Sequence, residues 1–221
     1  TQMGLFSKSK PKYDPHALKY LVKSSLVRIN TSKATRLNTV VTLKAELARH
    51  LQAKQLERAK IKAEAIFREQ RFVEAYELLE IFLQRVQGSM HVMAESPAVP
   101  EALKEAVATL IWSADYAEIS DLAKLREMFA ARYGADFVAI TIANPTQVHM
   151  QVKNKLEPSD LHGEVMMYMR KFAKDRQISV PELDQTVTVI GPPPDLGMGV
   201  PVAVAAPYTT DADLAGRLDN L

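Results

Sequence analysis

The chain has 221 residues and a mass of 24.6 kDa, which suits one domain with or without tails. It contains no cysteine, so disulfide scaffolds, thiolate zinc sites and cysteine nucleophiles are excluded, and no apolar run approaches the ~18 residues of a membrane-spanning helix. The net charge of +2 hides a division: residues 1–72 carry 16 Lys+Arg against 5 Asp+Glu, and the remainder carries 12 against 21. A basic front half joined to an acidic back half points to an anionic surface as one partner and to contact between the two kinds of surface, within or between molecules. No signal-peptide-like stretch is seen near the start, so the expected compartment is the cytoplasm.

Residues 1–14 are short and basic, and Leu5 and Phe6 ahead of Lys8, Lys10 and Lys12 suit a lipid interface. Asp14-Pro15 is a helix start, with Asp as cap and Pro in the first turn. From there to about Ala53 no Gly or Pro intervenes. Leu18, Val22, Ile29, Val40, Leu43, Leu47 and Leu51 fall on one helical stripe, so the spacing predicts a helix about 57 Å long at 1.5 Å per residue. Gln52 to Gln55 reads as the tip of a hairpin. A second helix is expected from Leu56 to about Val86, closed by Gly88 and apolar on more than one face in its second half, so it should touch several neighbours. Gln87 to Pro100 reads as a loop. Further helices are expected over Glu101–Trp112, over Ser120–Tyr133 with Ser120 or Asp121 as cap and Gly134 after it, over Thr146–Leu156, and from a Ser159-Asp160 cap to about Arg176. The run FVAITIAN suits a strand or a helix, its β-branched residues favouring the first and its context the second.

Residues 185–209 hold Gly191-Pro192-Pro193-Pro194, Gly197, Gly199, Pro201 and Pro207 and read as a partly polyproline-like linker. The chain therefore divides into a basic segment 1–14, a helical core 15–184, a linker 185–209 and a helical motif 210–221.

Catalytic chemistry finds no support. The five histidines are isolated in sequence, Gly197-Met198-Gly199 lacks a following helix start, and there is no Walker lysine, nucleophile elbow or kinase motif. A non-enzymatic protein without metal or cofactor is expected, with Trp112 in the core and Glu74, Glu77 and Glu80 on a solvated face. Two features carry function instead. Lys19, Lys23, Lys33 and Lys44 fall within an arc of roughly 80° on the first helix, at 100° per residue, and flank its apolar stripe. Near an anionic membrane each contributes about 1 kcal/mol, enough for salt-sensitive adsorption. The same electrostatics serve a basic helical nucleic-acid-binding protein, although neither interleaved aromatics nor a groove-reading motif is present, so no nucleic acid is expected. The second feature is the end of the chain, where Asp211, Leu214, Arg217, Leu218 and Leu221 follow D-x-x-L-x-x-R-L-x-x-L. As a helix, its three leucines form one stripe, and Thr210 and Asp213 make a capping-box-like start. Such a segment is marginal alone and suits a helix that folds into a partner's groove. Burying three leucines contributes about 1.5–3 kcal/mol each before ordering costs, which implies micromolar binding.

These residues resemble the increased-sodium-tolerance (Ist-type) family of ESCRT-III-like proteins. The resemblance rests on Glu57–Phe82 (ERAKIKAEAIFREQRFVEAYELLEIF), on Glu105–Trp112 (EAVATLIW) and on Leu156–Val180, and the terminal motif is similar to the family's type-one MIT-interacting motif. The resemblance implies an all-α fold: a long antiparallel helical hairpin with shorter packed helices, an ESCRT-III-like core, and a flexible C-terminal tail. It implies copolymerisation with charged multivesicular body proteins, the ESCRT-III subunits, on endosomal membranes. It also implies recruitment and regulation of an AAA ATPase through that enzyme's MIT domain. Asp211, Leu214, Arg217, Leu218 and Leu221 would bind MIT domains. Lys19, Lys23, Lys33 and Lys44, with Arg58 and Lys62, would face lipid or a neighbouring subunit.

Overall fold

The computed structural model describes residues 13–157 and 161–184. The chain divides into two units, Thr1–Gln185 and Thr186–Leu221, and every described residue belongs to the first. The linker 185–209, the motif 210–221, most of the segment 1–14 and the Ser159-Asp160 cap lie outside the described residues. Those described form helices joined by turns, with no strand among them.

Helix α1 is Pro15–Gln52. Asp14 has extended backbone, and its Oδ1 accepts the His16 N–H at 2.8 Å, so the cap forms where the sequence places it. The tip turns at Lys54, in the left-handed region at φ 56°, and the Gln55 N–H donates to the His50 carbonyl at 2.9 Å. Helix α2, Leu56–Gly88, returns antiparallel along α1, and this pair makes the most extensive contact in the core. The remaining helices are α3 (Met90–Glu95), α4 (Lys104–Ser113, entered by a 3₁₀ turn at Glu101–Leu103), α5 (Ser120–Tyr133), α6 (Ala135–Ala143), α7 (Met150–Leu156), α8 (His162–Asp175) and α9 (Pro181–Asp184).

Two apolar clusters hold these helices. In the larger, Leu18, Val22 and Ile29 of α1 meet Tyr76, Leu79 and Leu83 of α2, together with Ile111, Leu122 and Phe129. Helix α4 runs through it and is buried on every side from Ala106 to Ser113, as expected of a helix apolar all round. In the smaller, at the hairpin tip, Leu47, Leu51, Ala63 and Ile66 meet Val165 and Met169 of α8. Helix α2 packs on α1, α4, α7 and α8, which accounts for its apolar residues on several faces.

Three expectations need correction. The segment read as a loop contains α3, whose six residues are too few to display a period; Arg132 of α5 donates to the carbonyls of Met93, Ala94 and Ser96 at its end. Helix α7 begins at Met150 rather than Thr146, because Thr146–His149 forms a turn in which the His149 N–H donates to Thr109 Oγ1. Neither Ser120 nor Asp121 caps α5, since Ile119 holds the cap position without a side-chain bond. FVAITIAN resolves as helix, in α6. Gly134, at φ 99°, breaks the chain between α5 and α6, and no strand among the described residues is available to pair with it.

Asp121 turns inward instead. Its side chain is 4% exposed and accepts from Ser24 Oγ and, at 3.1 Å, from Arg28 Nε, tying α5 to α1. Burial alone pushes this carboxyl up; the bonds from Ser24 and Arg28 outweigh burial and hold it below its ordinary value. Its ionised form therefore stabilises the fold above the unfolded value near pH 4, and that contribution is lost as the pH falls through the lower folded value. Asp121→Asn is expected to cost about 1–3 kcal/mol at pH 7 and less at pH 3. Urea titrations at the two pH values check this, and equal losses would remove the ion pair from the account.

Candidate partner-binding faces

The expected basic edge lies on α1 and the start of α2, but its members differ in what they do. Lys19, Lys23 and Arg58 are exposed and Lys44 is half-buried. Lys33 donates to Glu80 Oε2 across the hairpin at 3.1 Å, and Lys62 pairs with Glu46 at 2.6 Å. Two of the six cations thus join the helices of the hairpin. The carboxylates expected on a solvated face divide likewise: Glu77 is exposed, Glu80 holds Lys33, and Glu74 holds Lys155 of α7.

One guanidinium organises the middle of the hairpin. Arg36 donates from Nη1 to Glu69 at 2.7 Å, from Nη2 to Glu118 at 2.6 Å and from Nε to Tyr76 Oη at 3.2 Å, and it lies 3.9 Å over the Phe72 ring centroid. Burial opposes its charge, and Glu69 and Tyr76 outweigh that and hold it charged. The Tyr76 hydroxyl, pushed up by burial, donates to the Ala117 carbonyl at 2.8 Å. The α4–α5 connection is thereby tied to both long helices.

The outer face of α1 shows what periodicity missed. Tyr20, Val27 and Val41 are exposed there, on the side away from Leu18, Val22 and Ile29, and Leu37 is exposed on its flank. Tyr20, Val27 and Val41 fall at multiples of seven residues, but the core stripe on the same helix is stronger. The five tail residues Asp211, Leu214, Arg217, Leu218 and Leu221 lie outside the described residues. Among the described residues no group of three His, Asp or Glu side chains is placed to hold a metal ion, and no helix is long and apolar enough to cross a membrane.

A long helical hairpin with packed shorter helices, and with charge and apolar residues displayed along one helix, defines the class: an all-helical hairpin core. A sequence model of the Ist1 family, described as regulator of Vps4 activity in the MVB pathway, matches residues 19–179. The chain belongs to the Ist1 family. It is 26% identical over 171 residues to an IST1-like protein of Dictyostelium discoideum, covering 75% of this chain and 46% of that one. It is 22% identical over 181 residues to vacuolar protein sorting-associated protein IST1 of Saccharomyces cerevisiae, covering 77% of this chain and 61% of that one. The chain thus spans about half to three-fifths of these relatives' length. The solved N-terminal domain of S. cerevisiae Ist1, in complex with a Did2 MIM motif, superposes with a TM-score of 0.71 at 19% identity, covering 79% of this chain and 98% of that one. At that identity the likeness shows the fold, and the all-helical expectation is met.

Proposed function

We propose that the chain is a non-enzymatic, ESCRT-III-associated scaffold. It assembles with charged multivesicular body proteins on endosomal membranes and recruits and regulates the MIT-containing AAA ATPase, Vps4, in protein sorting and membrane scission. The observation that carries this reading is the Ist1 family match across the hairpin and the helices packed on it. The yeast domain's complex with a Did2 MIM motif supports a core that receives a MIM motif from a partner protein. The pattern of Asp211, Leu214, Arg217, Leu218 and Leu221 supports a tail that offers such a helix to MIT domains. Many tails on one polymer turn micromolar single contacts into avid capture of the ATPase.

Leu218→Asp is expected to weaken binding of the full chain to a Vps4 MIT domain at least tenfold, because one buried leucine contributes about 1.5–3 kcal/mol. Titration by anisotropy reads this, with circular dichroism to check that the core stays folded; unchanged affinity removes the tail from the interface. Of the cations proposed to face lipid or a subunit, Lys19, Lys23, Lys44 and Arg58 pair with no carboxylate among the described residues, whereas Lys33 and Lys62 are engaged within the hairpin. Reversing Lys19, Lys23 and Lys44 to Glu should reduce co-sedimentation with anionic vesicles and flatten its salt dependence. Equal sedimentation of the reversed protein would show that the edge does not touch lipid.

A further inference from the structure

The outward face of α1 carries a repeat that the hairpin does not use. Tyr20, Val27, Ala34 and Val41 fall seven residues apart; three of them are 70, 67 and 70% exposed, and Ala34 is exposed as well. Leu37, three residues after Ala34, is 49% exposed on the adjoining line. A strict seven-residue line drifts by ~20° per heptad across a straight helix, about 60° from Tyr20 to Val41, and a left-handed supercoil removes that drift. That adjoining line reads Lys23, Asn30, Leu37 and Lys44, and a polar residue such as Asn30 sets register in paired helices.

Solvated helix faces are ordinarily charged. Between Arg28 and Arg49 every exposed residue of α1 is uncharged. Thr31, Thr35, Thr39 and Thr42 donate their hydroxyls to carbonyls four residues back, at 3.0 to 3.3 Å, so these donors are already satisfied. Small and β-branched residues with internally bonded hydroxyls suit the close approach of a second helix. The exposed charged residues of α1 are all cations: Lys19 and Lys23 beside the first heptad of the seam, Arg28, which is paired with Asp121, and Arg49, about two turns past Val41.

We propose that this seam receives a long acidic helix from another protein, packed along α1 as a left-handed coiled coil from Tyr20 to Val41. The proposal rests on the reading of α1 as a subunit-contact face and names the chemistry of what it meets. The segment spans about 33 Å, or three heptads, enough for a coiled-coil seam. A second copy packed parallel in the same contact would set Lys19 and Lys23 against their own copies. A lipid surface would find an uncharged middle built from Val, Ala and Thr, where interfacial helices present bulky apolar residues. A partner helix with apolar seam positions and flanking Glu or Asp satisfies both the uncharged middle and the basic end at Lys19 and Lys23.

The test uses the full chain and a fluorescent four-heptad peptide with Val and Leu at the seam positions and Glu at the flanking ones, whose own charge opposes self-pairing. Binding in the micromolar range is expected, weakened at least tenfold by Val27→Asp with Val41→Asp and unchanged by Ile140→Asp on α6. All three side chains are exposed, so the fold should persist, as circular dichroism will show. No binding of the acidic peptide, equal binding of the same peptide with Lys at the flanking positions, or unchanged binding by the double variant would overturn the proposal. So would a self-dimer in sedimentation velocity that the double variant dissolves, which would make the seam a contact between copies. Loss of phosphatidylserine-vesicle binding in the double variant, with the peptide unbound by wild type, would make it a lipid face. The MIT titration and the lysine reversals test the broader reading and are unaffected by these outcomes.

Discussion

Arg36→Met is expected to destabilise the core by about 2–4 kcal/mol at neutral pH and to lower its melting temperature by roughly 5–15 °C. The substitution keeps the apolar stem and removes the fork. Three acceptors are then left without it: Glu69, Tyr76 Oη and Glu118. Their shares differ. Glu118 is 67% exposed and regains water, so its pair contributes little. Glu69 is 20% exposed and Arg36 itself 14%, so that bond carries most of the loss, together with the stacking over Phe72. Glu118 holds a left-handed backbone at φ 54° while bonded to Arg36. Release should therefore raise hydrogen exchange at Ala114–Ile119 before any change in α4. Arg36→Lys should recover only a minor part, since an ammonium cannot bridge three acceptors in one plane. Calorimetry decides: a melting temperature within about 2 °C of wild type would show that the hairpin and the α4–α5 connection are held by apolar packing alone.

What the sequence made legible was whatever announces itself within a few residues. Asp14-Pro15 marks the start of α1 because a cap and a fixed φ act locally, and Gly134 marks the end of α5 because only glycine accepts φ 99° cheaply. What stayed hidden depended on distant partners. Lys33 and Glu80 are 47 residues apart, so no local pattern shows that this cation is engaged by α2 rather than presented outward. Asp121 reads in the sequence as a cap, but it lies in the first turn of α5, where Ser24 and Arg28, 97 and 93 residues away, draw it into the core. FVAITIAN is equally compatible with two periods, and only the lack of a partner strand among the described residues decides it. On α1 two repeats coexist, and the richer apolar stripe masks the sparser seam of Tyr20, Val27, Ala34 and Val41. The tail motif, by contrast, is legible as a pattern with nothing in the described residues to set beside it.

Met169→Asp is expected to detach α8 and α9 while leaving the larger core intact. Met169 is 1% exposed at the hairpin tip, among Leu47, Leu51, Ile66 and Val165. An unpaired carboxylate there costs several kcal/mol or forces its own protonation, and release of α8 is the cheaper escape. The tip cluster shares no residue with the one built on Tyr76, Leu83 and Phe129, so its loss need not propagate. Helix α9 should follow α8, because Val180 and Leu183 belong to the same cluster and Arg170 Nε donates to the Leu183 carbonyl at 2.5 Å. The Phe67–Tyr168 edge contact, with centroids 5.2 Å apart, would be lost too. Hydrogen exchange should show loss of protection over 162–184 and weakening over 43–66, with 73–86 and 104–129 retaining theirs. Exposure of Leu47, Leu51 and Ile66 should also promote concentration-dependent association in sedimentation velocity. Simultaneous loss of protection across every helix would instead mean that the two clusters form one cooperative unit, with α8 holding the hairpin together along its whole length.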